Sequence, residues 1–314
     1  MADFIRIENN PVPPGGEVFD FRAADGCRLR AAVFQADKPS GGVVLMGGRC
    51  EFIEKYFEVI RELLNRGLCV ATMDWRGQGL SERLLKDPIK GHIADFAAFR
   101  SDLRQFSEEI ARKRFDGPLF LLTHSMGGMP ALQLLADGYA LFDAAVLSAP
   151  MTQLFDKPSM SAFAGVAART VAALGAGNLS IPGQKEHSLA FEGNILTSDP
   201  ARHARFLALQ ERMPEAVIRA PTFGWLKAAL DAVDDIHKPH RFDALKTPVL
   251  IVSAANDQLI VPTDHQLLAA RSPLIECVTI KGSLHEILME RDAYRDEFWK
   301  AFDAFIGPRL ERAA

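Results

Sequence analysis

A chain of 314 residues, 48% hydrophobic and 24% charged, has enough apolar content for a substantial core in one large domain or two modest ones. Its formal net charge of -4 provides no electrostatic basis for nucleic-acid binding. The four cysteines (Cys27, Cys50, Cys69, Cys277) are scattered, with no CxxC pair and no histidine at metal-ligand spacing, so reduced thiols are expected rather than a zinc site or disulfide framework.

The N-terminal segment Met1-Ala2-Asp3-Phe4-Ile5-Arg6 has no basic stretch leading into an apolar run, so no signal peptide is expected and the cytoplasm is the expected location. Glu17–Arg22 and Arg28–Phe34 read as strands around Asp25-Gly26, a hairpin turn signal. Apolar strands are then predicted at Gly42–Met46, Leu68–Met73, Pro118–His124 and Ala144–Ala149. Helical spacing separates them at Phe52–Asn65, Ala94–Arg114 and Ala131–Ala136. This alternation predicts right-handed βαβ crossovers and a mostly parallel sheet.

After Pro150 the alternation lapses. From 151 to 241 the sequence shows helical patterns near Ala162–Leu174, from Asp199-Pro200 and at Phe223–Val233, with no convincing buried strand. The least polar part, Ser161–Gly177, is interrupted by Arg169 and reads as too short for a comfortable bilayer span; peripheral membrane contact stays open. Strands resume at Pro248–Ser253 and Ile275–Ile280, with helices at His265–Ala270 and Tyr294–Ile306. A helical insertion inside an α/β sheet is therefore expected, with 1–150 and 242–314 as core and 151–241 as insertion.

The stretch Thr123-His124-Ser125-Met126-Gly127-Gly128 follows an apolar strand and precedes a helix. Strand, sharp turn with serine at its apex, and helix form the context of a nucleophile elbow. A serine hydroxyl needs a base near neutral pKa, and that imidazole needs a carboxylate to hold its tautomer. At the ends of the last two strands stand Asp257 (Ala254-Ala255-Asn256-Asp257-Gln258) and His285 (Gly282-Ser283-Leu284-His285-Glu286). Loops at strand C-termini converge in a parallel sheet, and the chain order Ser125, Asp257, His285 suits an α/β-hydrolase. Asp74 is a rival acid by position but is expected to hold its own loop together. His124 should lie behind the elbow, and Thr123 should pack within it away from substrate. The other histidines lack strand-end placement and are expected to be structural or exposed.

With these segments in view, the chain resembles α/β-hydrolases of the lysophospholipase and monoacylglycerol-lipase branch, grouped with serine aminopeptidase-like hydrolases. The resemblance is carried by Gly47-Gly48-Arg49-Cys50-Glu51-Phe52-Ile53-Glu54-Lys55-Tyr56, Asp74-Trp75-Arg76-Gly77-Gln78-Gly79-Leu80-Ser81, His124-Ser125-Met126-Gly127-Gly128, Asn194–Asp199, Asn256-Asp257 and His285-Glu286. It implies a mostly parallel sheet with an antiparallel N-terminal hairpin, flanking helices, and a helical cap inserted after the sixth strand. It also implies an oxyanion hole formed by the backbone N–H groups of Arg49 and Met126. Two positions depart from the family pattern: Gly47 where a histidine is common, and Thr123 in place of the elbow's first glycine.

The expected activity is carboxylic-ester hydrolysis through an acyl-enzyme, on monoacyl lipids such as a lysophospholipid or monoacylglycerol. Thioesterase, acyltransferase or peptidase chemistry with the same triad remains open, as does a non-catalytic ligand-binding role. No cofactor or metal is expected, the expected partner is a small acyl ester rather than nucleic acid, and oligomeric state is left open. The many apolar side chains of 151–241 are expected mainly to pack its helices together.

Overall fold

The computed structural model describes residues 3–182 and 190–311. Gly16–Arg22 (β1) and Arg28–Phe34 (β2) form the antiparallel hairpin around Asp25-Gly26. Gly41–Met46 (β3), Leu68–Met73 (β4), Leu119–His124 (β5), Ala144–Ser148 (β6), Val249–Ala254 (β7) and Ile275–Ile280 (β8) complete one eight-stranded sheet. Its order is β1-β2-β4-β3-β5-β6-β7-β8; β2 meets β4 antiparallel, and every later pairing is parallel. The strands from β3 to β7 are buried at every residue, which explains why they read as unbroken apolar runs rather than alternating ones.

Helices cover both faces. Phe57–Asn65 (α1) buries Phe57, Val59, Ile60 and Leu63 at helical spacing. Ala97–Phe106 (α2) runs through a π turn at Ser107–Ala111 into Arg112–Arg114 (α3), so the long predicted helix starts later and carries an internal irregularity. Gly128–Ala136 (α4) follows the elbow. In the 151–241 stretch lie Pro158–Val171 (α5), Pro200–Arg212 (α6) and Phe223–Ile236 (α7). Its described residues include no strand, only isolated bridges such as Ser180 to Thr222. Thr263–Ala269 (α8) and Asp292–Glu311 (α9) close the chain. The final helix outruns its predicted end because Pro308 removes just one helical hydrogen bond near an exposed terminus.

Two attachments set where α5–α7 sit. Asp199 caps α6, accepting from the Ala201 and Arg202 N–H groups at 2.9 Å. Arg202 then reaches Glu58 of α1 at 2.6 Å and Asp292 of α9 at 2.6 Å. By contrast α5 is fastened mainly to α7, where Arg169 meets Asp231 at 2.7 Å and Asp234 at 2.6 Å. Its outer face departs from the expected internal packing: Met160, Phe163 and Val166, with Leu174 in the turn that follows, are 53–79% exposed. With the turn that follows, Pro158–Ala176 is a 19-residue helix long and apolar enough, by length and composition alone, to cross a membrane.

Beneath the sheet edge, the fully buried Arg30 guanidinium binds Glu54 and lies 3.3 Å from Asp74. Asp74 also accepts from the Ile53 N–H at 2.9 Å and the Leu80 N–H at 2.8 Å, so it ties three segments together. Removing the cation would strand two buried carboxylates. Arg30→Met is expected to lower stability by about 3–5 kcal/mol in urea unfolding. Arg30→Lys should restore only part of it, because an ammonium lacks the forked geometry.

Candidate active site

The residues that converge here are delivered by three strand ends. At the end of β5 the backbone reverses at Ser125, which takes φ = 50°, a left-handed conformation that β-carbon residues rarely adopt. The turn Ser125–Gly127 then feeds directly into α4. Gly127 is required by close approach: a Cβ there would lie 2.5 Å from the Gly47 carbonyl oxygen. Thr123 is fully buried at the base of the turn, and its hydroxyl has no hydrogen-bond partner.

The loops after β7 and β8 bring Asp257 and His285 to that serine. His285 Nε2 lies 2.8 Å from Ser125 Oγ, and His285 Nδ1 lies 2.5 Å from Asp257 Oδ2. Asp257 Oδ1 accepts the Leu259 and Ile260 N–H groups at 2.8 and 3.2 Å. Burial opposes ionisation of Asp257, but the His285 hydrogen bond and charge, with the two amides, outweigh it and hold the carboxyl below its usual range. An ionised acceptor on Nδ1 favours the tautomer whose Nε2 lone pair faces the serine hydroxyl. The arrangement can therefore draw a proton from Ser125 Oγ.

A second loop, after β3, passes beside Ser125: a Cβ on Gly48 would lie 3.1 Å from Ser125 Cβ. Its groups are individually held. The Gly47 carbonyl accepts from Trp75 Nε1 at 2.8 Å, the Gly48 N–H donates to Glu51, and the Cys50 N–H donates to Gln78 Oε1 at 2.8 Å. Cys50 has φ = 64°, so the loop is sharply bent. Among the described residues, no side chain and no backbone group of another segment accepts from the Arg49 or Met126 N–H. Two uncommitted amides flanking a serine can stabilise an oxygen that becomes negative.

Several of these groups were not picked out from the sequence as contributors to the site. Glu51, Lys55, Tyr56 and Glu286 are all buried, as are Trp75 and Gln78. A signal was available: Glu51, Glu54 and Lys55 are three charges in a short segment otherwise carrying Phe52, Ile53 and Tyr56. The space near Gly47, where the family commonly has histidine, is taken by Glu51 and Tyr56; a Cβ on Gly47 would sit 3.1 Å from Glu51 Oε2.

The remaining histidines have other partners. His124 lies behind the elbow with Nδ1 3.2 Å from the Ser148 carbonyl, and its ring centre is 5.0 Å from that of His285. His92 meets Thr222 at 2.8 Å, His237 meets Asp264 at 2.9 Å, and His265 bridges Ser253 and the Pro150 carbonyl at 2.7 and 2.8 Å. His203 packs on Phe191, exposed His240 pairs with Asp243, and His187 lies outside the described residues. Among the described residues, no group of three or more His, Cys, Asp or Glu side chains is placed to hold a metal ion.

Comparison with known proteins agrees with this architecture. The family described as serine aminopeptidase, S33 matches residues 37–292. The chain is 30% identical over 291 residues to lysophospholipase L2 of Escherichia coli K12, covering 88% of this chain and 83% of that one. It is 27% identical over 278 residues to a monoacylglycerol lipase of Mycolicibacterium smegmatis, covering 86% and 90%. In three dimensions it is similar to a monoglyceride lipase of Saccharomyces cerevisiae, with a TM-score of 0.74 and 19% identity over 95% of this chain and 97% of that one.

His124 makes this region acid-sensitive. Burial, reinforced by nearby His285 and Lys55 and only partly offset by Glu51, pushes its pKa from 6.5 down to about 4. Between those values the unfolded chain binds more protons, so stability rises with pH there. The contribution is complete above pH 6.5 and is lost as pH falls toward 4. Unfolding by urea should show a decline on the order of 3 kcal/mol across that window from this group. His124→Asn, which keeps a donor for Ser148, should flatten it.

Proposed function

The chain belongs to the serine aminopeptidase S33 family of hydrolases, and from that premise we propose that it hydrolyses monoacyl lipid esters, a lysophospholipid or monoacylglycerol, with Ser125, His285 and Asp257 as its catalytic residues. The observation that carries this reading is the continuous hydrogen-bonded chain from Asp257 through His285 to Ser125. His285 takes the serine proton as Oγ attacks the ester carbonyl, forming a tetrahedral oxyanion. The Arg49 and Met126 N–H groups receive that oxyanion. His285 then protonates the departing alcohol, and water, activated by the same imidazole, releases the fatty acid from the acyl-serine. Asp257 stays ionised throughout and stabilises the imidazolium.

The choice of ester over amide or thioester rests on the relatives, a lysophospholipase and a monoacylglycerol lipase. In this reading residues 151–241 are the cap, and 1–150 with 242–314 are the hydrolase core. We further propose that the enzyme works from the cytoplasm and meets lipid through the exposed apolar face of α5. Met160, Phe163 and Val166 supply that face, with Leu174 just beyond it, and single acyl chains partition into the surfaces it would touch.

Ser125→Ala is expected to lower turnover of a monoacylglycerol, a lysophospholipid and a short soluble ester by about 10^4-fold or more; wild-type turnover by that variant would overturn the catalytic assignment. Higher activity on acyl-thioesters than on all three esters would overturn the substrate class. Phe163→Glu should reduce co-sedimentation with phospholipid vesicles several-fold while soluble-ester hydrolysis stays within about twofold. Unchanged sedimentation would sink the α5 contact.

A further inference from the structure

The sheet leaves one mechanical problem unsolved. The oxyanion loop follows β3 and the histidine loop follows β8, and in the sheet order β5, β6 and β7 stand between them. No shared ladder sets one loop against the other, yet an acyl-transfer site requires both to be placed to within a fraction of an ångström.

A buried cluster bridges the gap. Lys55 Nζ lies 2.7 Å from Glu51 Oε1 and 2.6 Å from Glu286 Oε1, with its side chain only 1% exposed. Glu51 uses its other oxygen to accept the Gly48 N–H and the Tyr56 hydroxyl, the latter at 2.5 Å. Glu51 is thus the group that engages the Gly48 amide while the neighbouring Arg49 amide stays uncommitted. Glu286 directly follows His285, and its own N–H donates to the Leu196 carbonyl at 2.8 Å. The remaining side of the ammonium faces Phe206 of α6, 4.4 Å from the ring centre.

We propose that Lys55 is a positioning residue whose paired contacts with Glu51 and Glu286 lock the oxyanion loop to the histidine loop beneath α6. This rests on the assignment of Ser125 and His285 as the reacting pair. Three charges buried together would be a poor choice for stability alone, since apolar side chains of similar volume would serve as well or better. What apolar packing lacks is direction, and two charge-assisted hydrogen bonds from one ammonium define it. Burial pulls Lys55 toward neutrality, but Glu286 and Glu51 outweigh that and raise its pKa; burial likewise opposes ionisation of Glu51, but Lys55, with His124 and the Tyr56 hydroxyl, outweighs it and holds that carboxyl below its usual range. The clamp is therefore ionic at neutral pH.

The test uses Lys55→Met, Lys55→Arg and the double variant Lys55→Met/Glu286→Leu, assayed on p-nitrophenyl butyrate beside Ser125→Ala. The double variant keeps the net formal charge of the cluster unchanged and leaves one buried carboxylate without its cation rather than two, with the Gly48 N–H and the Tyr56 hydroxyl still donating to Glu51. Rates are expressed per Ser125 titrated by a fluorophosphonate, which counts only competent sites. Both Met variants are expected to lose about 10- to 100-fold in kcat with KM within about threefold, as fits a weakened oxyanion donor. Lys55→Arg, which can span the same two carboxylates, should return to within about fivefold of wild type. A double variant with kcat within twofold of wild type would overturn the clamp, as would a loss that appears in KM alone or that arginine does not rescue. Wild-type turnover by Ser125→Ala would remove both assignments; an inactive Ser125→Ala beside a fully active double variant removes the clamp alone.

Discussion

The backbone at Ser125 is held at φ = 50°, and the surrounding architecture depends on keeping it there. A residue with a Cβ in that conformation costs about 1–3 kcal/mol and persists only when its surroundings over-determine it. Here β5 is laddered on both sides, to β3 and β6, right up to the turn. The Ser125 carbonyl accepts the Met151 N–H at 2.9 Å, and Gly127 lets α4 press against the Gly47 carbonyl. The strain is distributed over elements that would resist relaxing it. The serine hydroxyl is thereby raised at the point where the loops after β3, β7 and β8 meet.

Around that point the protein uses charge inside an apolar core. Arg30 with Glu54 and Asp74, and Lys55 with Glu51 and Glu286, are two buried ionic centres on either side of the Ile53–Tyr56 turn. The first anchors the Asp74 loop, the second joins the loop after β3 to the loop that carries His285. Arg202 attaches α6 to α1 and α9 from outside, so the helix that lies over Lys55 is itself fixed to the core. Among the described residues, α5 is tied by ion pairs to α7 rather than to the sheet, and it turns its apolar face outward. Rigid support near the serine and an exposed greasy rim farther away are compatible demands on one inserted segment.

Much of the fold was legible because its signals are local. Buried parallel strands appear as unbroken apolar runs, and the loss of alternation after Pro150 marks the inserted helices. The three side chains Ser125, Asp257 and His285 could be named together because each follows a predicted strand in the chain order expected for the architecture. Boundaries were less legible: the π turn in Ser107–Ala111 and the passage of α9 through Pro308 reflect contacts that periodicity does not encode. The exposure of Phe163 and Leu174 was likewise invisible, because an apolar helix looks the same whether its face is covered or not.

The sequence by itself determined the strand-turn-helix grammar, the separation of sheet from helical insertion, and which residue types stand at strand ends. Those features follow from hydrophobic periodicity and turn chemistry within a few residues of one another. Only the tertiary structure decided that His285 and Asp257 meet Ser125 in one hydrogen-bonded chain, and that Lys55 reaches Glu286 across 231 positions of sequence. Such contacts depend on how loops from non-adjacent strands converge in space, and no local pattern carries that information. The elbow's geometry belongs to both levels: glycine and serine allow the turn, while the packing of β3, β6 and α4 holds it strained.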